Sequence, residues 1–334
     1  MPRPSAFARG FRALRREPSV LLAEIAWRWL FGGIAAALIA WATIVFLRAI
    51  EVSKANQFLL STLNPELMSY ALRDLFHNKW GMLGRLGVIV GVSLSFLWII
   101  TATIARSATT RVLLERSAED YAEQRDTCPN LRAIATIQFL RVALLWIGLA
   151  AYFLSAVIAS RLTTSGDQPH VGAFLFLFLC MFLVAAAVLS FFNWILLLAP
   201  IFAIRDDQPF SDAALAAAHF SRSRSGSLIG LNLAHLAIRI VWIVFISGIA
   251  LVPFGFAQIL PKWVIFAAVV ITTLIYSAVA DALFVARYAG YIEIAEQETH
   301  PEPDPLPLPI ATAPETYQPE ADPVPVPSDP PPET

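Results

Sequence analysis

Charge is what this sequence has least of. Asp, Glu, Lys and Arg make up 15% of its 334 residues, against 57% hydrophobic, where a soluble domain carries about a quarter charged. The shortfall argues against an ordinary water-soluble domain and points to lipid as the solvent. Cysteine is almost missing. Cys128 falls in a polar stretch and Cys180 in an apolar one, so both read as unpaired thiols and no disulfide framework is expected. Histidine is sparse too: His77, His170, His219, His235 and His300 include no pair at zinc-ligand spacing. There is no His-Glu-x-x-His, no Gly-x-Ser-x-Gly and no Walker loop, so the sequence offers no catalytic, metal or cofactor motif. A net charge of −1, with the basic residues spread along the chain, gives no footprint for nucleic acid.

What is abundant is long apolar sequence. Six runs, near 29–47, 86–105, 142–160, 172–198, 240–260 and 263–286, each reach the ~20 residues a helix needs to cross a bilayer. Backbone groups in lipid must be satisfied within the segment, and barrel-type alternation is absent, so the runs are read as helices. The fourth is expected to end at Pro200 and then Asp206-Asp207. The fold class is therefore all-α, a polytopic bundle of six transmembrane helices (29–298) joined by amphipathic connections.

A basic leader, residues 1–28, precedes the first span and is too long and polar for a cleavable signal. Phe7, Phe11 and Leu14 share one helical face, with Arg9, Arg12, Arg15 and Arg16 on much of the rest. This is the pattern of a helix resting on anionic lipid headgroups. Pro18 breaks it, and Glu24 and Arg28 beyond are spaced four apart for an ion pair.

Orientation follows from the basic residues, all of them Arg except Lys54, Lys79 and Lys262. With the N-terminus inside, seventeen fall on the inner side and seven on the outer. The positive-inside rule thus puts both termini in the cytoplasm; the preference for Arg over Lys points to a GC-rich, bacterial genome, and so to a bacterial inner membrane. Of the outer segments only 48–85 is long. There Asn64-Pro65 is a helix start, Met68, Leu72, Leu75 and Phe76 form an apolar stripe, and Trp80 is an interfacial anchor. The end of the chain, 299–334, is Pro-rich and acidic with no Lys or Arg. It reads as a disordered, partly polyproline II tail in which Pro-Leu-Pro-Leu-Pro could dock a proline-reading partner.

Arginines recur at matching positions. Arg28, Arg141 and Arg239 begin odd-numbered spans, and Arg106, Arg205 and Arg287 end even-numbered ones. This suggests three helical hairpins, an arrangement of parallel repeats found in transporters, although arginine also belongs at any cytoplasmic boundary. Both inner connections carry helical sequence, 107–126 in the first and an Ala-rich stretch after Pro209 in the second. From Asn193 through His235 the order is span, Asp207-Gln208-Pro209 turn, Ala-rich helix and the exit Ser221-Arg222-Ser223-Arg224-Ser225-Gly226. In this the chain resembles bacterial six-helix membrane families of unknown function, among them the membrane domain attached to some glycerophosphodiester phosphodiesterases. The soluble phosphodiesterase domain has no counterpart in the sequence, so the resemblance carries over no activity.

Polar groups within the spans are few. Asp281 is the one carboxylate and Asn193 the one carboxamide deep in a run. Asp281 is expected to pair with Arg239, which starts the neighbouring span, or with Arg287. Gly84, Gly87, Gly91 and Ser95 run down one side of span two as a helix-packing stripe. Ion-coupled transport usually needs more intramembrane charge than this. The expected role is that of a non-enzymatic scaffold or regulator at the membrane; the alternative is a transporter or lipid-translocating protein built from three hairpins.

Overall fold

A computed structural model describes residues 6–50, 53–62, 64–77, 79–120, 130–164, 170–256 and 258–299. Proline and small polar residues set the helix starts. Pro18 opens the long α2 (Pro18–Arg48), where its missing N–H is not needed. The side chains of Ser53 and Asn130 accept from the backbone N–H groups of Asn56 and Ala133, both at 3.1 Å, capping α3 (Lys54–Ser61) and α6 (Leu131–Thr163). Asn64 does the same for Glu66 at 3.0 Å as α4 (Pro65–His77) begins. The remaining helices are α1 (Ala6–Arg16), α5 (Trp80–Asp120), α7 (Val171–Arg205), α8 (Phe210–Ser223), α9 (Ser225–Gly255) and α10 (Lys262–Thr299). There is no strand among the described residues.

Among the described residues six helices, α2, α5, α6, α7, α9 and α10, are long and apolar enough to cross a membrane. The protein is an all-α membrane protein. Several helices outrun the bilayer. The 41 residues of α5 extend about 60 Å at ~1.5 Å per residue, twice the ~30 Å hydrocarbon core. The stretch 107–120 is thus not a separate connection but the continuation of span two; residues 121–129, including Cys128, lie outside the described residues. Pro200 does not end α7, which runs on to Arg205. The stop comes at the two aspartates, where Asp207 adopts a left-handed φ of 48°, a conformation Asp tolerates better than most residues.

The apolar middles of the spans carry little burial, and side chains such as Phe176, Leu145 and Val241 are exposed all along them, as faces turned to lipid should be. The packed core lies instead at the end of the spans where the boundary arginines sit, called here the arginine end. Leu113 and Leu114 of α5, Ile134 and Ile137 of α6, residues 196–204 of α7, Phe220 of α8, Leu228 of α9 and Tyr288, Tyr291 and Ile292 of α10 are all buried in one cluster. Helix α2 packs on α5, α5 on α6, α6 on α7, and α7 on α8. The first two expected hairpins are close-packed pairs, whereas α9 and α10 are not; α10 is joined to the rest largely through side chains.

One surface element differs from its sequence reading. The apolar face of α1 is occupied by protein. Phe7 meets the His235 ring edge-on at 5.1 Å between centroids and Phe11 stacks on it at 5.8 Å, while Arg9 pairs with Glu293 at 2.6 Å. Gly10 lies so close to α10 that a Cβ there would strike the Ala286 carbonyl oxygen. The helix therefore docks on α9 and α10 rather than laying this face on a membrane. At the opposite end α3 packs on α4, Asn56 donates to Asp74 at 2.9 Å, and Phe76 stacks on Phe46 at 5.7 Å. The chain divides into a unit of Met1–Glu296 and a second of Gln297–Thr334. The Pro-rich stretch from 300 onward, with its Pro-Leu-Pro-Leu-Pro motif, lies outside the described residues.

Candidate functional site

The polar centre of the molecule is an ionic lattice at the arginine end, anchored on Glu24. The first turns of α2 are helical with no lipid-length apolar run, so an acid is tolerated there, and the α2–α5 packing then seals it from solvent. The Glu24 side chain is completely buried. Its Oε1 accepts from Arg28 one turn on, at 2.8 Å from Nη2 and 3.1 Å from Nε, and forms an ion pair with Arg106 of α5, whose Nη2 lies 3.0 Å away. Its Oε2 accepts from the Trp27 indole N–H at 2.8 Å and the Thr109 hydroxyl at 3.3 Å. A carboxylate with this many donors is well compensated for its loss of water.

Arg28 reaches onward. Its Nη1 bonds Asp281 Oδ1 of α10 at 2.5 Å, linking the first span to the last. The expected partner Arg239 is exposed on α9 and has no ion pair among the described residues, because α9 and α10 do not pack as a close hairpin. Arg287 fails for a different reason. Six residues from Asp281 on one helix, it points about 240° around the axis at ~100° per residue, away from the acid.

Phe284 sits at the hub. Arg106 and Arg28 lie over its ring at 4.2 and 4.5 Å from the centroid, and Arg287 follows at 5.6 Å, all within cation–π range. One turn on, the fully buried Tyr288 shares a 2.9 Å hydrogen bond with the Thr110 hydroxyl. Arg141 of α6 donates to Asn193 of α7 at 3.2 Å and lies within electrostatic reach of Arg28 and Arg287. Thus Asp281 and Asn193 are each held by a boundary arginine, on different helix pairs. Of the six boundary arginines, Arg28, Arg106, Arg141 and Arg287 gather around α10. Arg205 binds its neighbour Asp206 at 2.8 Å and the Ala295 carbonyl at 3.3 Å, and Arg239 stands apart.

The packing stripe of span two divides in the same way. Gly91 and Ser95 face Trp146 of α6, whose indole N–H donates to Ser95 Oγ at 3.0 Å, and Gly91 leaves room for that ring. Gly84 and Gly87 face open space, so the stripe packs only along its inner half.

Reasoning from sequence overlooked Arg106 as a buried interhelical ligand, and Gln138, Tyr288 and Tyr291 as buried polar groups. Tyr291 donates to Asn232. Gln138 is fully buried on α6 with neither amide atom bonded among the described residues. The only sequence signal for these was the recurrence of arginine at span ends. No group of three or more His, Cys, Asp or Glu suited to a metal occurs among the described residues. Compared with protein-family models, with curated proteins and with solved structures, the chain matches none.

Chemically, the lattice joins helices and concentrates positive charge. Its carboxylates, Glu24 and Asp281, are each tied to a guanidinium from the same or another helix, leaving neither acid free to load and release an ion without breaking the assembly.

Proposed function

We propose that the protein is a non-enzymatic scaffold or regulator, seated in a bacterial inner membrane with its arginine end and both termini in the cytoplasm. The observation that carries this reading is the state of the span acids: Glu24 and Asp281 are consumed by the links among α2, α5 and α10. What remains at the same end is a densely packed platform beneath lipid-exposed spans. α8 offers its outer face there, with Leu215 exposed, as a surface for a protein partner. Two assays test the proposal. Protein in proteoliposomes should dissipate an imposed proton or sodium gradient no faster than empty vesicles, and a photo-crosslinker at Leu215 should give discrete adducts in cells. Gradient-driven flux that Asp281→Asn abolishes, with protein level and detergent stability intact, would replace the scaffold by a transporter.

The looseness of α9 against α10 favours a second reading, a lipid-translocating protein whose last two spans leave a lateral path. Accelerated flipping of a fluorescent phospholipid in the same vesicles is the result that would select it.

A further inference from the structure

Arg28 of α2, Arg106 of α5 and Arg287 of α10 gather at the Phe284 ring, and Arg141 of α6 lies within electrostatic reach of Arg28 and Arg287; the carboxylates among them are two, Glu24 and Asp281. Both carboxylates are already spent on Arg28 and Arg106. Arg141 has a neutral amide for a partner and Arg287 an aromatic ring; neither has an acid among the described residues. Arg106, although almost fully buried, keeps Nη1 without a hydrogen-bond acceptor. Partly buried like charges repel, and a buried guanidinium donor left unmatched is costly. Such an excess calls for an anion with several acceptor oxygens, and guanidinium forks match phosphate.

The apolar surroundings say where the phosphate comes from. Along α6, Arg141 is followed at one-turn intervals by Leu145, Leu149 and Phe153, exposed by 71%, 47% and 59%. Each step of four residues advances about one turn and drifts about 40° around the axis, so the cationic head adjoins Leu145 and the exposed apolar strip winds from there about 120° around α6 over about 18 Å, roughly the length of an acyl chain. We propose that Arg141 and Arg287 bind the phosphate of an anionic phospholipid whose acyl chain lies along Leu145, Leu149 and Phe153. The site rests on the membrane character of the protein alone and is compatible with either function above.

The full-length protein is purified in detergent and its bound lipid is followed by native mass spectrometry. Dioleoylphosphatidylglycerol, dioleoylphosphatidylcholine and inorganic phosphate serve as separate probes. Phosphatidylglycerol should be retained over phosphatidylcholine by roughly tenfold or more. In Arg141→Gln/Arg287→Gln that preference should fall to near one, while Arg222→Gln/Arg224→Gln, which removes two exposed charges from the exit of α8, should leave it unchanged. Without lipid, the Arg141→Gln/Arg287→Gln protein should melt within error of wild type, because the relief of repulsion offsets the lost Arg141–Asn193 hydrogen bond and Arg287–Phe284 contact and no ion pair is broken. Equal retention of the two lipids, or a preference that survives this double substitution, would overturn the site. Inorganic phosphate displacing phosphatidylglycerol would assign it to a soluble anion instead, and a lower lipid-free melting temperature would make the two arginines structural.

Discussion

Glu24 binds two guanidiniums, an indole and a hydroxyl at once while fully buried, so its replacement is the most informative single change. Glu24→Gln keeps the shape but leaves Arg106 without an acid and Arg28 with Asp281 alone. Breaking one partner out of a buried pair costs about 3–5 kcal/mol, and the variant should show a loss of that order by denaturation in detergent. Glu24→Leu/Arg106→Met removes both partners and should recover part of it, which a double-mutant cycle measures. Gln138 should behave in the opposite sense. Its amide is buried without a partner among the described residues, so Gln138→Leu should stabilise by about 1–2 kcal/mol; a fall in stability would mean the amide is satisfied. The sequence made the Glu24–Arg28 spacing visible because it is local. That Arg106 completes the pair was not visible, since a boundary arginine looks the same whether it faces headgroups or a buried acid. Asp281 stood out as a lone intramembrane carboxylate, but its partner was hidden. The choice between Arg239 and Arg28 depends on which spans meet at that depth, and chain order misleads where consecutive helices do not pack.

Helix α1 and the small-residue stripe of α5 show what periodicity can and cannot tell. The 3.6-residue pattern located both helices and their apolar faces, but the partner of each face is a tertiary fact. For α1 the face carrying Phe7 and Phe11 looked like a lipid-binding face, and what distinguishes it is Gly10, which lets the helix backbone reach Ala286 of α10. Gly10→Leu should therefore release α1. Amide exchange over residues 6–16 should rise sharply, with a loss of roughly 2 kcal/mol, about one buried Phe side chain. In α5 the four positions at helical spacing are equivalent by sequence and unequal in the fold. A Cβ at residue 91 would stand 2.7 Å from the Trp146 ring, and that ring is pinned by its bond to Ser95. Gly91→Leu should then cost about 1–3 kcal/mol by overpacking, whereas Gly84→Leu and Gly87→Leu, with open space around them, should leave the melting temperature within error. Equal effects at all three would mean that the whole stripe is an interface.

At the scale of the molecule, cohesion is uneven. The spans meet lipid over most of their length, and the chain is tied together at the arginine end, where its first and second halves interlock. Helices α1–α5 contact α6–α10 through the α5–α6 and α5–α7 faces, the Arg28–Asp281 and Arg9–Glu293 pairs, the Thr110–Tyr288 bond and the Trp146–Ser95 bond. None of these needs the peptide link between the halves. Cutting the gene between codons 124 and 125 and expressing the two pieces together should therefore give fragments that assemble in the membrane. An affinity tag on the first should recover the second through detergent purification. The ionic lattice is what makes the association specific, since lipid is as good a solvent for apolar spans as another span is. Arg28→Leu in the first fragment leaves Asp281 of the second without its partner and should reduce recovery severalfold, while Arg85→Leu, at the opposite end of α5, should not. Fragments that insert separately but fail to associate would show that the chain connection, and not the packed core and its buried charges, holds the halves together.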